Sequence, residues 1–252
     1  IASILTSVDE VIEKTQSQID KLQDLKKATM NELLTKGIDH KEFKESELGR
    51  IPKSWKIATM RQLMKKVIDN RGKTPPLSDE GRELIEIASI SKLQRFLDYK
   101  RAKKRVNEET YKTWFRNGHP KIGDILVPTV GLIGECSIVS EDRGCIAQNL
   151  IALRCSDDLL SNYLYWLMYS KYILSEIKRV VMGAVQPSLK VPHLLDSRIP
   201  IPPIEEQRKI FETLNTIENT IIDNQKKVAS FQHLKKSLMQ DLLTGKVRVQ
   251  VN

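Results

Sequence analysis

The chain has 252 residues, 40% of them hydrophobic, and a formal net charge of +9, a balance that permits a globular core and attracts polyanions. Three cysteines (Cys136, Cys145, Cys155) with no C-x-x-C pair, and four scattered histidines (His40, His119, His193, His233), argue against a disulfide framework and against a metal site. No apolar run approaches the ~20 residues of a membrane span and the N-terminus lacks the order of a signal peptide, so the expectation is a cytoplasmic protein with no membrane partner.

The first predicted element is a long helix over 1–37. Ile1, Leu5, Val8, Ile12, Thr15, Ile19 and Leu22 recur in steps of four and three, as the seam of a coiled coil does, and Gly37 sits where a C-cap glycine belongs. Because the pattern is already under way at Ile1, with no Met before it, the sequence reads as a piece of something longer. A linker over 38–50 follows. Residues 51–204 contain all ten prolines and change texture to a mixed α and β domain. IPKSW (51–55) is an extended entry with Trp55 as a core anchor, and 56–76 runs into a loop from Asn70 to Pro76. GDILVPTVGLIGECSIVS (123–140) reads as strand, turn, strand; EDRG (141–144) is a turn; CIAQNLIALRC (145–155) reads as one further strand. A helix is predicted over 156–179, capped by Ser156 or Asp157, whose Tyr163, Tyr165, Trp166, Tyr169 and Tyr172 suit packing better than base stacking. A second long helix over 205–245, ended by Gly245, and a tail over 246–252 complete the chain.

The two long helices are copies of one another. A shift of 209 positions aligns Ile1–Thr35 with Ile210–Thr244 without a gap, and LKKATMNELLT (25–35) matches LKKSLMQDLLT (234–244) most closely. Lys26 and Lys235 both fall where the seam calls for an apolar residue, so the two copies share one irregularity. The fold class predicted is therefore α+β: a mixed domain flanked by two long helices that bury their stripes against each other as an antiparallel coiled coil. The competing reading has two ordinary amphipathic helices, each covering part of a globular core.

Basic charge is concentrated between Lys92 and Lys121, where ten basic residues face three acids, a net of +7. Such a run is either a solvated face or a phosphate-contacting surface with steep salt dependence. The candidate DNA contacts in and around it are Lys92, Arg95, Lys100, Arg101, Lys103, Lys104 and Arg105, with Asn70, Arg71, Lys73, Gln186, Ser188 and Lys190 elsewhere. Asn70, Arg71, Arg95, Arg101 and Gln186 have side chains able to read base edges. Asp69, Asp79 and Asp124 stand in no recognisable metal or acid-base motif, and no phosphate-binding G-x-x-x-x-G-K-[ST] occurs, so neither catalysis nor a cofactor is expected.

In order along the chain, IPKSW, NRGKTPP (70–76), GDILVPTVGLIG, GAVQPSLKV (183–191) and above all IPIPPIEEQRKI (199–210), with its Glu206–Gln207 pair, resemble the specificity (S) subunit of type I restriction-modification systems. The resemblance implies that 1–37 corresponds to a central conserved helix, 51–204 to one target-recognition domain that reads half of a split site in double-stranded DNA, and 205–245 to a distal conserved helix. A complete S subunit has two recognition domains, and the first has no counterpart here. The implied partners are methyltransferase (M) subunits, which use S-adenosylmethionine, and restriction (R) subunits in the full complex. A homodimer through the helices is a further possibility raised by the single recognition domain. The competing functional class is an interaction scaffold, related to specificity subunits, that no longer reads DNA.

Overall fold

The computed structural model describes residues 2–91, 95–182 and 187–244. Along the first half the elements are α1 (Ala2–Lys36), β1 (Phe43–Lys44), β2 (Ile51–Pro52), β3 (Lys56–Thr59), β4 (Met64–Ile68), β5 (Arg82–Ile85), β6 (Lys104–Val106) and α2 (Glu108–Thr113). There follow β7 (Ile125–Pro128), β8 (Ser137–Ile138), β9 (Cys145–Ile146), β10 (Leu150–Cys155), α3 (Ser161–Met168), α4 (Lys171–Val180), β11 (Val181–Met182), β12 (Ser188–Leu189), α5 (Val191–Asp196), β13 (Arg198–Ile201) and α6 (Ile204–Leu243). They form two compact units: α1 up to Met30 with α6 from Glu212 onward, and everything from Asn31 to Phe211.

In the helical unit the stripes face each other. Ile19, Ile221 and Val228 are buried together, with Ile12, Leu22 and Ile217 packed against them. The direction is fixed by two ion pairs: Asp9, early in α1, meets Lys235, late in α6, at 2.6 Å, and Lys26 meets Glu218 at 2.8 Å. The 209-residue shift converts one pair into the other, since Lys26 corresponds to Lys235 and Glu218 to Asp9. The shared irregularity in the seam is thus a pair of equivalent lysines that reach across to acids on the other helix, and the helix pair carries a pseudo-two-fold axis.

The second unit is built on a four-stranded antiparallel sheet in the order β4-β10-β7-β8. β10 is internal, which suits LIALRC: Leu150, Ile151, Ala152 and Leu153 are fully buried. A three-stranded sheet, β6-β5-β9, lies in the same unit, with β5 antiparallel to β6 and parallel to β9. Ile68, Ile85, Leu126, Val139, Ile146 and Leu150 share one core, while Leu84, Val106, Phe115 and Cys145 form another.

Two expected elements are divided. The single strand over 145–155 is two strands in different sheets, separated by a turn at Gln148 and Asn149, where Asn149 adopts φ +69°. The helix over 156–179 is α3 and α4, and neither Ser156 nor Asp157 caps it; α3 begins at Ser161, after Leu160 donates its N–H to the buried Gln207 side chain at 2.9 Å. The break at Tyr169 and Ser170 turns the Tyr169 hydroxyl toward Cys136 and Glu135. The aromatics themselves are core: Tyr163, Tyr165, Trp166 and Tyr172 are buried.

The Glu206–Gln207 pair at the start of α6 ties this unit together. Glu206 accepts hydrogen bonds from the Ile38 N–H (3.1 Å) and the Trp55 indole (3.0 Å), and its Oε1 lies 2.7 Å from His40 Nε2. Gln207 is fully buried and donates to the carbonyls of Asp158 and Pro202. Gly37, at φ +69°, ends α1 with its N–H on Leu33, and a Cβ there would collide with Glu206, His40 and Trp55. Gly245, expected to end the second long helix, and the tail lie outside the described residues.

Candidate nucleic-acid interface

The turn between β9 and β10 is anchored on both sides. Ala147 and Leu150 are buried, whereas Gln148 and Asn149 between them are exposed. The Asn149 carbonyl accepts the Thr129 N–H at 2.8 Å, and the Thr129 carbonyl accepts the Leu189 N–H at 2.8 Å, so this turn, the end of β7 and β12 are stitched in a row. The row brings Ser188 and Lys190 beside the turn, in a cleft that Arg71 closes from the β4 side. On its other flank the same turn borders a second cleft, lined by Thr74, Pro75, Glu86 and Lys104.

Of the residues expected to contact DNA, Arg71, Ser188, Lys190 and Lys104 therefore converge on the two sides of one turn. Lys73 lines a third cleft with Arg71 and Arg116. Arg71 is held in place by a bidentate pair with Asp69, at 2.8 and 2.7 Å. Burial pushes the Asp69 carboxyl upward, but the hydrogen bonds and charge of Arg71 outweigh it and hold it below the usual carboxylate value.

Asn70 requires a correction. Its side chain is buried, donating to the carbonyls of Gly118 (2.9 Å) and Ile146 (3.3 Å) and accepting the Asn117 N–H (3.0 Å), so its amide is committed to holding the loop and is not open to a base. The run from Lys100 to Arg105 is also less uniform than its sequence suggests. Arg101 pairs with Asp98 at 3.1 Å, Lys104 with Glu86 at 2.7 Å, and Arg105 lies 3.9 Å from Glu83 and donates to the Gly81 carbonyl. Glu83 and Glu86 lie outside the window whose net charge is +7 and enter it only through the pairing of β5 with β6. Lys100 and Lys103 are exposed and form no ion pair with any described residue. Arg95 is flanked by the rings of Phe96 (4.7 Å) and Phe211 (5.2 Å). Lys92 and Gln186 lie outside the described residues.

Asp124 forms a bidentate pair with Arg154 and accepts the Lys121 N–H, which gives it a structural part. Among the described residues no three His, Cys, Asp or Glu side chains come together as metal ligands would, and no helix is long and apolar enough to cross a membrane. Gln148 and Asn149 were not among the expected contacts. The available signal was a pair of amides interrupting an apolar run, A-Q-N-L, at a residue type that tolerates the left-handed region.

Residues 52–230 match the family model described as the type I restriction modification DNA specificity domain. The chain is 29% identical over 258 aligned positions to the type I restriction enzyme MjaVIII specificity subunit of Methanocaldococcus jannaschii, covering 99% of this chain and 60% of that protein. Among solved structures it is similar to the HsdS subunit from Thermoanaerobacter tengcongensis (TM-score 0.64, 18% identity, 98% of this chain and 56% of that one). It is also similar to the type I restriction-modification S subunit from M. genitalium (TM-score 0.57, 15% identity, 96% and 59%). The chain thus spans less than two thirds of the length of each of these relatives.

Proposed function

Because the chain belongs to the type I restriction-modification DNA specificity family, we propose that it acts as an address subunit: its central domain, 51–204, reads one half-site in double-stranded DNA, and its helices dock methyltransferase subunits. The observation that carries the reading is the convergence of Arg71, Lys104, Ser188 and Lys190 on the two clefts beside the 148–149 turn, although they come from three separate stretches of sequence. Cations on both flanks of an exposed polar turn suit a duplex, whose phosphates fix register while base edges are read between them. The proposed role is not catalytic; the chemistry belongs to the methyltransferase and, in the full complex, to the restriction subunits. The setting is the cytoplasm, where the DNA is.

Docking through the helices is supported by the internal repeat. Leu25 and Leu234 are equivalent, identical and about half exposed (51% and 46%), and Lys27 and Lys236 are equivalent, identical and exposed. Packing within the helix pair gives no reason for identity at such positions, whereas a partner that meets both copies does. The helices also allow two copies of this chain to associate, in which case the site read is an inverted repeat.

The test is selection of bound sequences from a random duplex library at near-physiological salt, with the chain alone and with its methyltransferase subunit. The expected result is an enriched half-site, or a palindrome if two copies act together. Absence of enrichment in both arms, with partner binding intact, would overturn DNA reading in favour of the scaffold.

A further inference from the structure

Resting on that DNA-reading proposal, we infer that Gln148 and Asn149 are the base-reading pair of this domain, directed at an adenine-containing step, with Arg71, Lys104 and Lys190 as the phosphate contacts that set its register. Four observations support this. Neither amide side chain forms a hydrogen bond to a described residue, so both retain a donor and an acceptor side by side. That is the pattern which pairs bidentately with N6 and N7 of adenine in the major groove. In the neighbouring loop Asn70 has the same chemistry, but its amide is committed to Gly118, Ile146 and Asn117.

The turn is also held rigidly. Ile146 and Leu150 are fully buried on either side, and the Asn149 carbonyl is fixed by Thr129. A reader held in this way loses little entropy on binding. Finally, Asn149 has φ +69°, a conformation that glycine adopts without cost, yet an amide-bearing residue stands there. The clefts on either side supply cations from both flanks, Lys104 on one and Arg71 with Lys190 on the other.

Library selection with variants of the full chain, alone and with the methyltransferase subunit, tests this. Asn149→Gly keeps the left-handed backbone and removes the amide; Gln148→Ala removes an exposed side chain. Each is expected to retain non-specific DNA binding and its salt dependence while losing about 5- to 150-fold discrimination at one position of the selected site. Asn149→Asp, which exchanges the donor for a second acceptor, is expected to shift the preference at that position from adenine toward cytosine. If all three variants select the wild-type motif with undiminished discrimination, the assignment of this turn falls while DNA reading stands. If the wild-type chain selects no motif in either arm, both fall together.

Discussion

His119 shows how a single side chain is fitted to its surroundings with a measurable consequence. Its ring stacks on Tyr111 with centroids 3.6 Å apart and planes within 4°, and Nε2 lies 2.9 Å from the Tyr111 carbonyl. Donation from Nε2 requires the tautomer that leaves Nδ1 bare, and Nδ1 is buried with no hydrogen-bond partner among the described residues. Burial, the largest influence, disfavours the charged ring; the Tyr111 carbonyl opposes this, and Arg82 and Lys66 reinforce it, so the pKa is lowered from 6.5. Between the lowered folded value and 6.5 the unfolded chain binds more protons than the folded one. Stability from the neutral ring is therefore complete above 6.5 and is lost as pH falls through that value toward the folded one. The urea midpoint is expected to drop between pH 7.5 and 5.5, and His119→Gln, which keeps a donor for Tyr111, is expected to flatten that drop; equal slopes in the two proteins would refute it. Burial acts on the thiols in the same way, disfavouring the charged form: it pushes Cys145 up to about 12 and Cys155 up to about 11.

At the scale of elements, the helix pair is specified as much by charge as by its apolar seam. Lys26 and Glu218 retain side-chain exposures of 29% and 21%, so their bridge is partly sheltered but still screened by solvent. A double-mutant cycle of Lys26→Glu and Glu218→Lys is expected to give a coupling of about 1 kcal/mol, with the swapped pair more stable than either single variant. Additive costs in urea unfolding would show that the bridge does not contribute. The broken helix over 156–179 and the divided strand over 145–155 share one physical cause. Local propensity favours continuity in both, but Gln207 fixes where α3 begins, and β9 and β10 leave for different partners, which forces the chain to turn at Gln148 and Asn149.

For the whole molecule, a net charge of +9 predicts attraction to DNA, and its distribution predicts how that attraction responds to salt. Lys100 and Lys103 are exposed without ion pairs among the described residues, while Arg101 and Lys104 each have a carboxylate at hand. Replacing Lys100 and Lys103 together by Gln is expected to reduce the slope of log K against log salt by about 2, uniformly across DNA sequences. Arg101→Gln alone is expected to reduce it by less than about 1, because the carboxylate of Asp98 already matches the charge that is removed; titration of binding at several salt concentrations reads both, and an equal effect per charge removed would refute the distinction. By itself the sequence determined the repeat, the antiparallel helices, the mixed domain between them, the core role of Trp55 and the family. Each is written in local periodicity or in contiguous motifs, which a linear reading preserves. Only the tertiary structure decided that Asn70 is an internal strut, that Glu83 and Glu86 temper the basic run, and that Gln148 and Asn149 stand between a cleft lined by Lys104 and one lined by Arg71 and Lys190. These depend on which distant strands become neighbours, and strand pairing is a property of the folded chain that no window of sequence contains.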